Sequence, residues 1–355
     1  MREVVLGLLG LGNIGGGVWD LIREFGDELA VRTGLRLRVK KALVLDKAVH
    51  GGHDVPEEVL TTDAEDILTD PEISIVCEFL GGENPAAAFM KRALAAGKSV
   101  VTANKVALAL HWHELEAAAE ASGAGLYFEA SVCGAIPIIS ALRGPLQSSD
   151  ITTLIGIVNG TTNYILSRMS AGGEDYATVL KDAQALGLAE PNPSTDVEGL
   201  DAAYKLSILA SLAFHGRVPF SAVYREGITG ISAFDIACGH ELGYTLKLLA
   251  IAKRDGNVID ARVHPTFIPD DHPLASVNGS FNAIFLHGHA CDDMMLFGRG
   301  AGSAPTASAV VSDMLYAVSR DTPRHPTFHN ADTLAPGLRV TDDWRCSFYV
   351  RLTAS

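Results

Sequence analysis

Basic residues are scarce in this 355-residue sequence: 28 Lys and Arg stand against 42 Asp and Glu, a formal net charge of −14. A net acidic surface repels polyphosphates and anionic headgroups, so nucleic acid and membrane surfaces are excluded as general partners, while a local basic pocket is not. Cysteine is sparse too. Cys77, Cys133, Cys238, Cys291 and Cys346 are scattered, odd in number and free of any CxxC spacing, which argues against a disulfide framework and suits a reducing cytoplasm. No apolar run reaches the ~18 residues that span a bilayer. The apolar opening MREVVLGLLGLG is punctuated by glycine and followed by no clean small-residue cleavage site, so it does not read as a signal peptide. Repeats and low-complexity tracts are absent. What remains, 48% hydrophobic and 20% charged residues, is the make-up of a globular chain long enough for two domains.

Residues 3–9 (EVVLGLL) predict a buried strand, followed by GLGNIGGG and a helix-like VWDLIREF. Further strands are predicted at 38–45, 73–79, 98–102 and 125–130, with helices at 85–97 and 111–122 between them. Such alternation implies a parallel sheet with helices on both faces. After about residue 135 the rhythm changes, and TTLIGIVNGTTNYIL, several helices and FNAIFLHGHACDDMMLFG predict a second domain that mixes helices with an open sheet. The NG of IVNGTT is a turn candidate, and the tail from His325 to Asp343 reads as irregular.

Gly10, Gly12 and Gly15 form G-x-G-x-x-G between a predicted strand and helix, the Rossmann fingerprint for a dinucleotide. Glycines there permit a tight turn and let backbone amides approach a pyrophosphate. The acid expected after the second strand is best matched by Asp46, which would bind ribose hydroxyls and disfavour the extra phosphate of NADP, although Lys40, Lys41 and Lys47 lie close. Lys105, in VTANKVALA, falls beyond a strand's C-terminal end, where open α/β sheets bind ligands; the competing reading is a surface lysine. In DVEGLDAAYK, Glu198, Asp201 and Lys205 fall at i, i+3 and i+7 on one helical face, with Asp196 just ahead. A solvated first turn is the ordinary reading of such charges. From Tyr204 to Phe214, however, apolar residues go nearly all round, as in a buried helix, so the charged stripe is expected to face a pocket. If Lys105 and Lys205 converge there, each disfavours the other's protonation. His287, His289 and Cys291 share one strand face but lack a further ligand, so a metal is not expected there. Cys133 has no evident partner base and reads as a small buried residue, not a nucleophile.

Together, GLGNIG, VVTANKVALA, FEASVCGAIPII, GIVNGTTNYIL, AEPNPSTDVEGLDAAYKL and FGRGAGSAPTASAVVSD resemble homoserine dehydrogenase, in the family's order and over about residues 4 to 320. The resemblance implies reversible NAD(P)-dependent reduction of L-aspartate 4-semialdehyde to L-homoserine, on the route to threonine, isoleucine and methionine. It also implies an α/β architecture in two parts. A Rossmann-type dinucleotide-binding domain spans 1–134 and is completed by about 303–352. An α+β domain with an open mixed sheet spans 135–302, binding substrate and forming a homodimer. Lys105, Lys205 and Asp201 would be catalytic; Glu190, taking the amino group, would line the substrate pocket with Asp196, Gly160 and Thr161. Gly10, Gly12, Asn13, Ile14, Gly15, Asp46, Thr102, Asn104, Lys105, Gly300 and Thr306 would bind the dinucleotide. Glu129 and the carbonyls of Val132, Gly134 and Ile136 would hold a structural sodium ion, since hard oxygen ligands suit it. Leu45, where NADP-using relatives commonly carry arginine, tilts the expectation toward NAD. The chain stops at FYVRLTAS, about where a threonine-binding regulatory domain begins in many relatives, so feedback through such a domain is not expected. Two rival readings share the fingerprint: another Rossmann oxidoreductase of an amino or hydroxy acid, and a dinucleotide-sensing protein without catalysis.

Overall fold

The computed structural model describes residues 1–48, 52–319 and 337–352. They form two compact units, 1–143 with 301–319, and 144–300 with 337–352. In the first unit β1 (Arg2–Leu9), β2 (Leu35–Leu43), β3 (Leu60–Thr61), β4 (Ile75–Glu78), β5 (Ser99–Thr102) and β6 (Leu126–Tyr127) make a parallel sheet in the order β3-β2-β1-β4-β5-β6. Strands such as IVCE are buried at every residue, because α1 (Asn13–Thr33), α2 (Glu65–Leu68), α3 (Ala86–Ala95) and α4 (Lys105–Ser122) pack on the sheet. A short α5 (Ile138–Arg143) follows. The order reverses between β1 and β4, the switch point at which sheets of this kind bind ligands beyond their strand ends. β1 enters α1 through Gly10, whose φ is 107°. A Cβ on Gly15 would stand 2.2 Å from the Gly10 carbonyl oxygen, so the helix can start this close only on glycine.

The second unit contains β7 (Ile151–Ile157), α6 (Gly160–Gly172), α7 (Tyr176–Ala185), α8 (Ser194–Val197), α9 (Leu200–Ala213), β8 (Tyr224–Arg225) and α10 (Ala233–Glu241). It continues with β9 (Tyr244–Asp255), β10 (Val258–Pro269), β11 (Phe281–Gly288), β12 (Asp292–Arg299) and, past the undescribed stretch, β13 (Arg339–Thr341). The sheet order is β12-β11-β7-β9-β10-β13, with β8 also on β10; β8 and β13 run parallel to β10 and the other pairs are antiparallel. The long β9–β10 hairpin closes through Gly256 and Asn257, a two-residue turn of the type that matches strand twist. After β12 the chain returns to the first unit in α11 (Ser303–Ser319), where Ser303 Oγ donates to the Asn13 carbonyl at 2.7 Å.

Four expectations need correction. The NG of IVNGTT is a helix start and not a turn: Asn159 caps α6, its Oδ1 accepting from the Thr162 amide at 2.9 Å. The return to the first unit does not extend through 352. β13 pairs with the edge of β10, Trp344 stacks on His264, and Tyr349 Oη and Arg351 hold Asp235, so 337–352 belongs to the second unit. Residues 339–341 are therefore strand, while 325–336 of the tail expected to be irregular lie outside the described residues. The first unit also runs to 143 and not 134, because Glu129 grips the start of α5. Among the described residues no helix is long and apolar enough to cross a membrane.

Gly15→Ala is expected to cost about 2 kcal/mol of stability through the clash with Gly10 and to weaken dinucleotide binding; thermal unfolding and a cofactor fluorescence titration read both effects. Wild-type values in both assays would show that the turn relaxes at no cost.

Candidate active site

Every residue of α9 except Leu200 and Tyr204 is buried, as its apolar circumference predicts. Asp201 is 3% exposed and Lys205 9%. Charges this buried need partners, and Lys205 Nζ donates to Asp201 Oδ2 and to the Val158 carbonyl, both at 2.7 Å. Asn159 joins them: its Nδ2 donates to the same Asp201 Oδ2 at 2.8 Å and to Asp196 Oδ1 at 2.7 Å. Glu198 does not share the face. Gly199, with φ 76°, breaks the path between α8 and α9, leaving Glu198 exposed at the end of α8. The expected stripe is thus an i, i+4 pair of Asp201 and Lys205, with Asp196 brought to it by Asn159. Gly160 and Thr161 form the first turn of α6, and Thr161 Oγ1 donates to the Leu188 carbonyl at 2.6 Å. Two residues further on, Glu190 is exposed, and its carbonyl accepts from Gln184 Nε2.

In the first unit, Gly12 is the N-cap of α1 and nothing lies within 4 Å of the position a Cβ would take, so the helix start, with Asn13, Ile14 and Gly15, is open to an anion. Asp46 is exposed just past β2, its Oδ1 accepting from the Ala48 amide at 2.9 Å. Beyond β5 a carboxylate orders the turn. Glu78, 0% exposed, accepts from Thr102 Oγ1 at 2.7 Å, the Leu80 amide at 2.8 Å and Asn104 Nδ2 at 3.3 Å. Burial pushes its carboxyl above the usual range, and these bonds oppose that shift. Asn104 Oδ1 in turn accepts from the Ala107 amide and caps α4, fixing the half-buried Lys105 at the helix start. Thr102 and Asn104 therefore spend their side chains on this frame. Thr306 is buried in the first turn of α11, whereas Gly300 belongs to the second unit, packed flat on the Asn282 carboxamide. Lys105 likewise lies in the first unit and Lys205 in the second.

Glu129 is 3% exposed; Oε1 accepts from the Ile139 amide at 2.8 Å and Oε2 from the Ser140 amide at 2.7 Å and from Ser140 Oγ. Its own amide donates to Asp313 Oδ2 on α11 at 2.8 Å. Burial and the Glu129 carboxylate push Asp313 up to about 8, and burial raises Glu129 as well. Val132 and Ile136 are buried beside them, and Gly134 has φ 53°. Cys133 is buried at 1%, as a packing residue is. His287, His289 and Cys291 do not gather: His287 Nδ1 pairs with Asp293 at 2.8 Å, His289 Nδ1 accepts from the Asp150 amide, and Cys291 Sγ turns to the Asp292 carbonyl.

Two family models match the chain, the homoserine dehydrogenase model over residues 137–315 and the homoserine dehydrogenase NAD binding domain over 10–129. Homoserine dehydrogenase of Corynebacterium glutamicum is 50% identical over 319 residues, covering 88% of this chain and 71% of that one. That of Bacillus subtilis is 46% identical over 315 residues, 89% and 73% of the two chains. The chain belongs to the homoserine dehydrogenase family. A solved homoserine dehydrogenase from Thiobacillus denitrificans superposes with a TM-score of 0.87 at 41% identity, covering 96% of this chain and 80% of that chain. A hyperthermophilic archaeal homoserine dehydrogenase in complex with NADPH gives 0.77 at 25% identity, covering 91% and 100%. The protein is thus an NAD(P)-dependent oxidoreductase of the homoserine dehydrogenase class, with a nicotinamide dinucleotide as cofactor and a small molecule as substrate. Neither the broader oxidoreductase nor the dinucleotide sensor is favoured by these matches.

Two residues that order these turns, Asn159 and Glu78, are not among the expected site residues. Asn159 was hidden in an apparent turn, although an Asn followed by GTT and an apolar run is an N-cap signal. Glu78 sat inside an apolar strand, where a lone acid between Cys77 and Phe79 signals a buried carboxylate that must be bonded. Asn159→Ala is expected to lower kcat/KM for L-homoserine more than about tenfold, since Asp196 and Asp201 each lose a donor, while the lost cap costs about 1 kcal/mol of stability. Steady-state kinetics with thermal unfolding separate the two effects; unchanged kinetics beside a lowered Tm would reduce Asn159 to a helix cap.

Proposed function

We propose that Asp201 and Lys205 are the reacting pair of the second unit and that Lys105 is the partner donor from the first. The observation that carries this is the geometry at Lys205 Nζ. An ammonium has three donors; among the described residues two are used, by Asp201 and Val158, which leaves the third for a substrate oxygen. When bound, the nicotinamide exchanges a hydride with the carbon that bears the hydroxyl. In the reducing direction the Lys205 ammonium, or a water held between Lys205 and Asp201, gives a proton to the carbonyl oxygen and is left as the neutral amine or as hydroxide; in the oxidising direction that deprotonated form takes the proton of the hydroxyl back. Asp201 keeps the ammonium oriented, and Asn159 holds Asp201 in register. Glu190 and Asp196 supply the negative charge an amino-acid ammonium needs, with Gly160 and Thr161 at the turn beside them.

The first unit is the dinucleotide domain in this reading. Gly10, Gly12, Asn13, Ile14 and Gly15 take the pyrophosphate at the helix start. Thr102 and Asn104 frame Lys105, Thr306 lies on the returning helix, and Gly300 follows the end of β12. Asp46, exposed after β2 with Leu45 and no arginine before it, favours the ribose hydroxyls of NAD; the NADPH bound to the archaeal relative speaks for the other choice. Glu129 and the carbonyls of Val132, Gly134 and Ile136 are the residues that would hold a sodium ion. The fit rests on hard oxygens and on two buried acids, Glu129 and Asp313, whose charge a cation would offset. A homodimer through the second sheet is supported by one face carrying Ile155, Phe285, Met295 and Phe297, the last 54% exposed. A cytoplasmic location accords with the free cysteines.

Initial rates of nicotinamide reduction with L-homoserine, run side by side with NAD and NADP, are expected to favour NAD; a preference for NADP would sink the Asp46 argument and leave the reaction standing. Lys205→Met and Lys105→Met are each expected to lower kcat at least about a hundredfold, the usual scale for loss of a proton-transfer group. Full turnover in both variants would refute the assignment.

A further inference from the structure

Lys247, on β9, is 1% exposed, and among the described residues no carboxylate partners it. Three neutral oxygens meet its ammonium instead: the Val277 carbonyl at 2.6 Å, Asn278 Oδ1 at 3.0 Å and Asn163 Oδ1 at 3.4 Å. The donors are satisfied but the charge is not neutralised, and burial pulls the amine down to about 8. Hydrophobic residues normally fill such positions at lower cost.

Its contacts converge on the loop that leads into β11. Asn163, on α6, grips the same loop, its Nδ2 donating to the carbonyls of Val277 at 3.1 Å, Gly279 at 2.9 Å and Phe281 at 3.1 Å. The loop presses on the first turn of α6, where a Cβ on Gly160 would stand 2.8 Å from the Ser280 carbonyl oxygen. The preceding residue is Asn159, which holds Asp196 and Asp201. Every link from Lys247 to Lys205 lies within the second unit.

We propose that Lys247 is a positioning residue for the reaction: by fixing loop 277–281 against Gly160 and Asn163 it sets the α6 turn, and through Asn159 the Asp201–Lys205 pair. This rests on the assignment of that pair to the substrate. In this role Lys247 acts through the turn, so its effect falls on L-homoserine and not on the dinucleotide, which the first unit binds. A purely structural lysine would lower stability without that division.

The test is steady-state kinetics on the whole protein, with L-homoserine and the dinucleotide varied independently, for wild type, Lys247→Met, Asn278→Ala and Lys205→Met. Lys247→Met is expected to lower kcat/KM for L-homoserine at least about tenfold while the KM of the dinucleotide stays within about twofold. Asn278→Ala, which removes one acceptor at an exposed position, is expected to shift the same parameter by about threefold. A folded Lys247→Met with wild-type L-homoserine kinetics, or with an equal loss in both substrates, overturns the proposal. If Lys247→Met does not fold, Asn278→Ala decides, and unchanged kinetics there overturn it. Undiminished turnover in Lys205→Met would instead refute the underlying site assignment.

Discussion

An aspartate and a lysine buried together on α9 govern the second unit. Removing two charges from water costs several kcal/mol per ion, and a bond between them repays it only when the remaining donors and lone pairs are also met. Here, among the described residues, all but one of the ammonium's donors are: Asp201 Oδ2 accepts from Lys205 and from Asn159, and Lys205 also reaches the Val158 carbonyl. Loss of one partner would leave the other charge stranded, typically at about 3–5 kcal/mol. Apolar side chains would fill the space at less cost, so the pair is explained by chemistry and not by stability. Under the proposed assignment, the carbonyl that gains a hydride would take its proton from this buried ammonium, held in a water-poor setting.

Around that pair the fold spends polar side chains on fixing backbone. Asn159 caps α6 while holding two acids, Asn163 holds three carbonyls of one loop, and Lys247 holds that loop from the other side. Each contact removes freedom from a turn whose position a reaction would feel at the scale of an ångström. The helices themselves need little help, since α9 is buried almost all round.

The first unit uses carboxylates in the same way. Glu78 gathers Thr102, Asn104 and the Leu80 amide beyond the strand ends, and Glu129 joins the start of α5 while its amide bonds Asp313 on α11. The returning helix is thereby fastened beside β6. Burial raises both acids, and the hydrogen bonds each accepts oppose that shift.

Composition, the glycine spacing and the alternation of strands and helices determined the parallel first sheet, the dinucleotide turn and the buried α9, because each is written in residues adjacent or one helical turn apart. The family motifs, read in order, determined the reaction. Tertiary structure alone decided the rest. Asn159 meets Asp201 across 42 residues, and Glu78 meets Asn104 across 26, separations on which periodicity is silent. Gly199 removed Glu198 from the expected stripe, since one left-handed residue redirects a chain that spacing treats as continuous helix. The tail turned to β10 and not back to the first unit for a similar reason: an unpaired strand edge accepts whichever segment reaches it, and reach is a property of the folded chain.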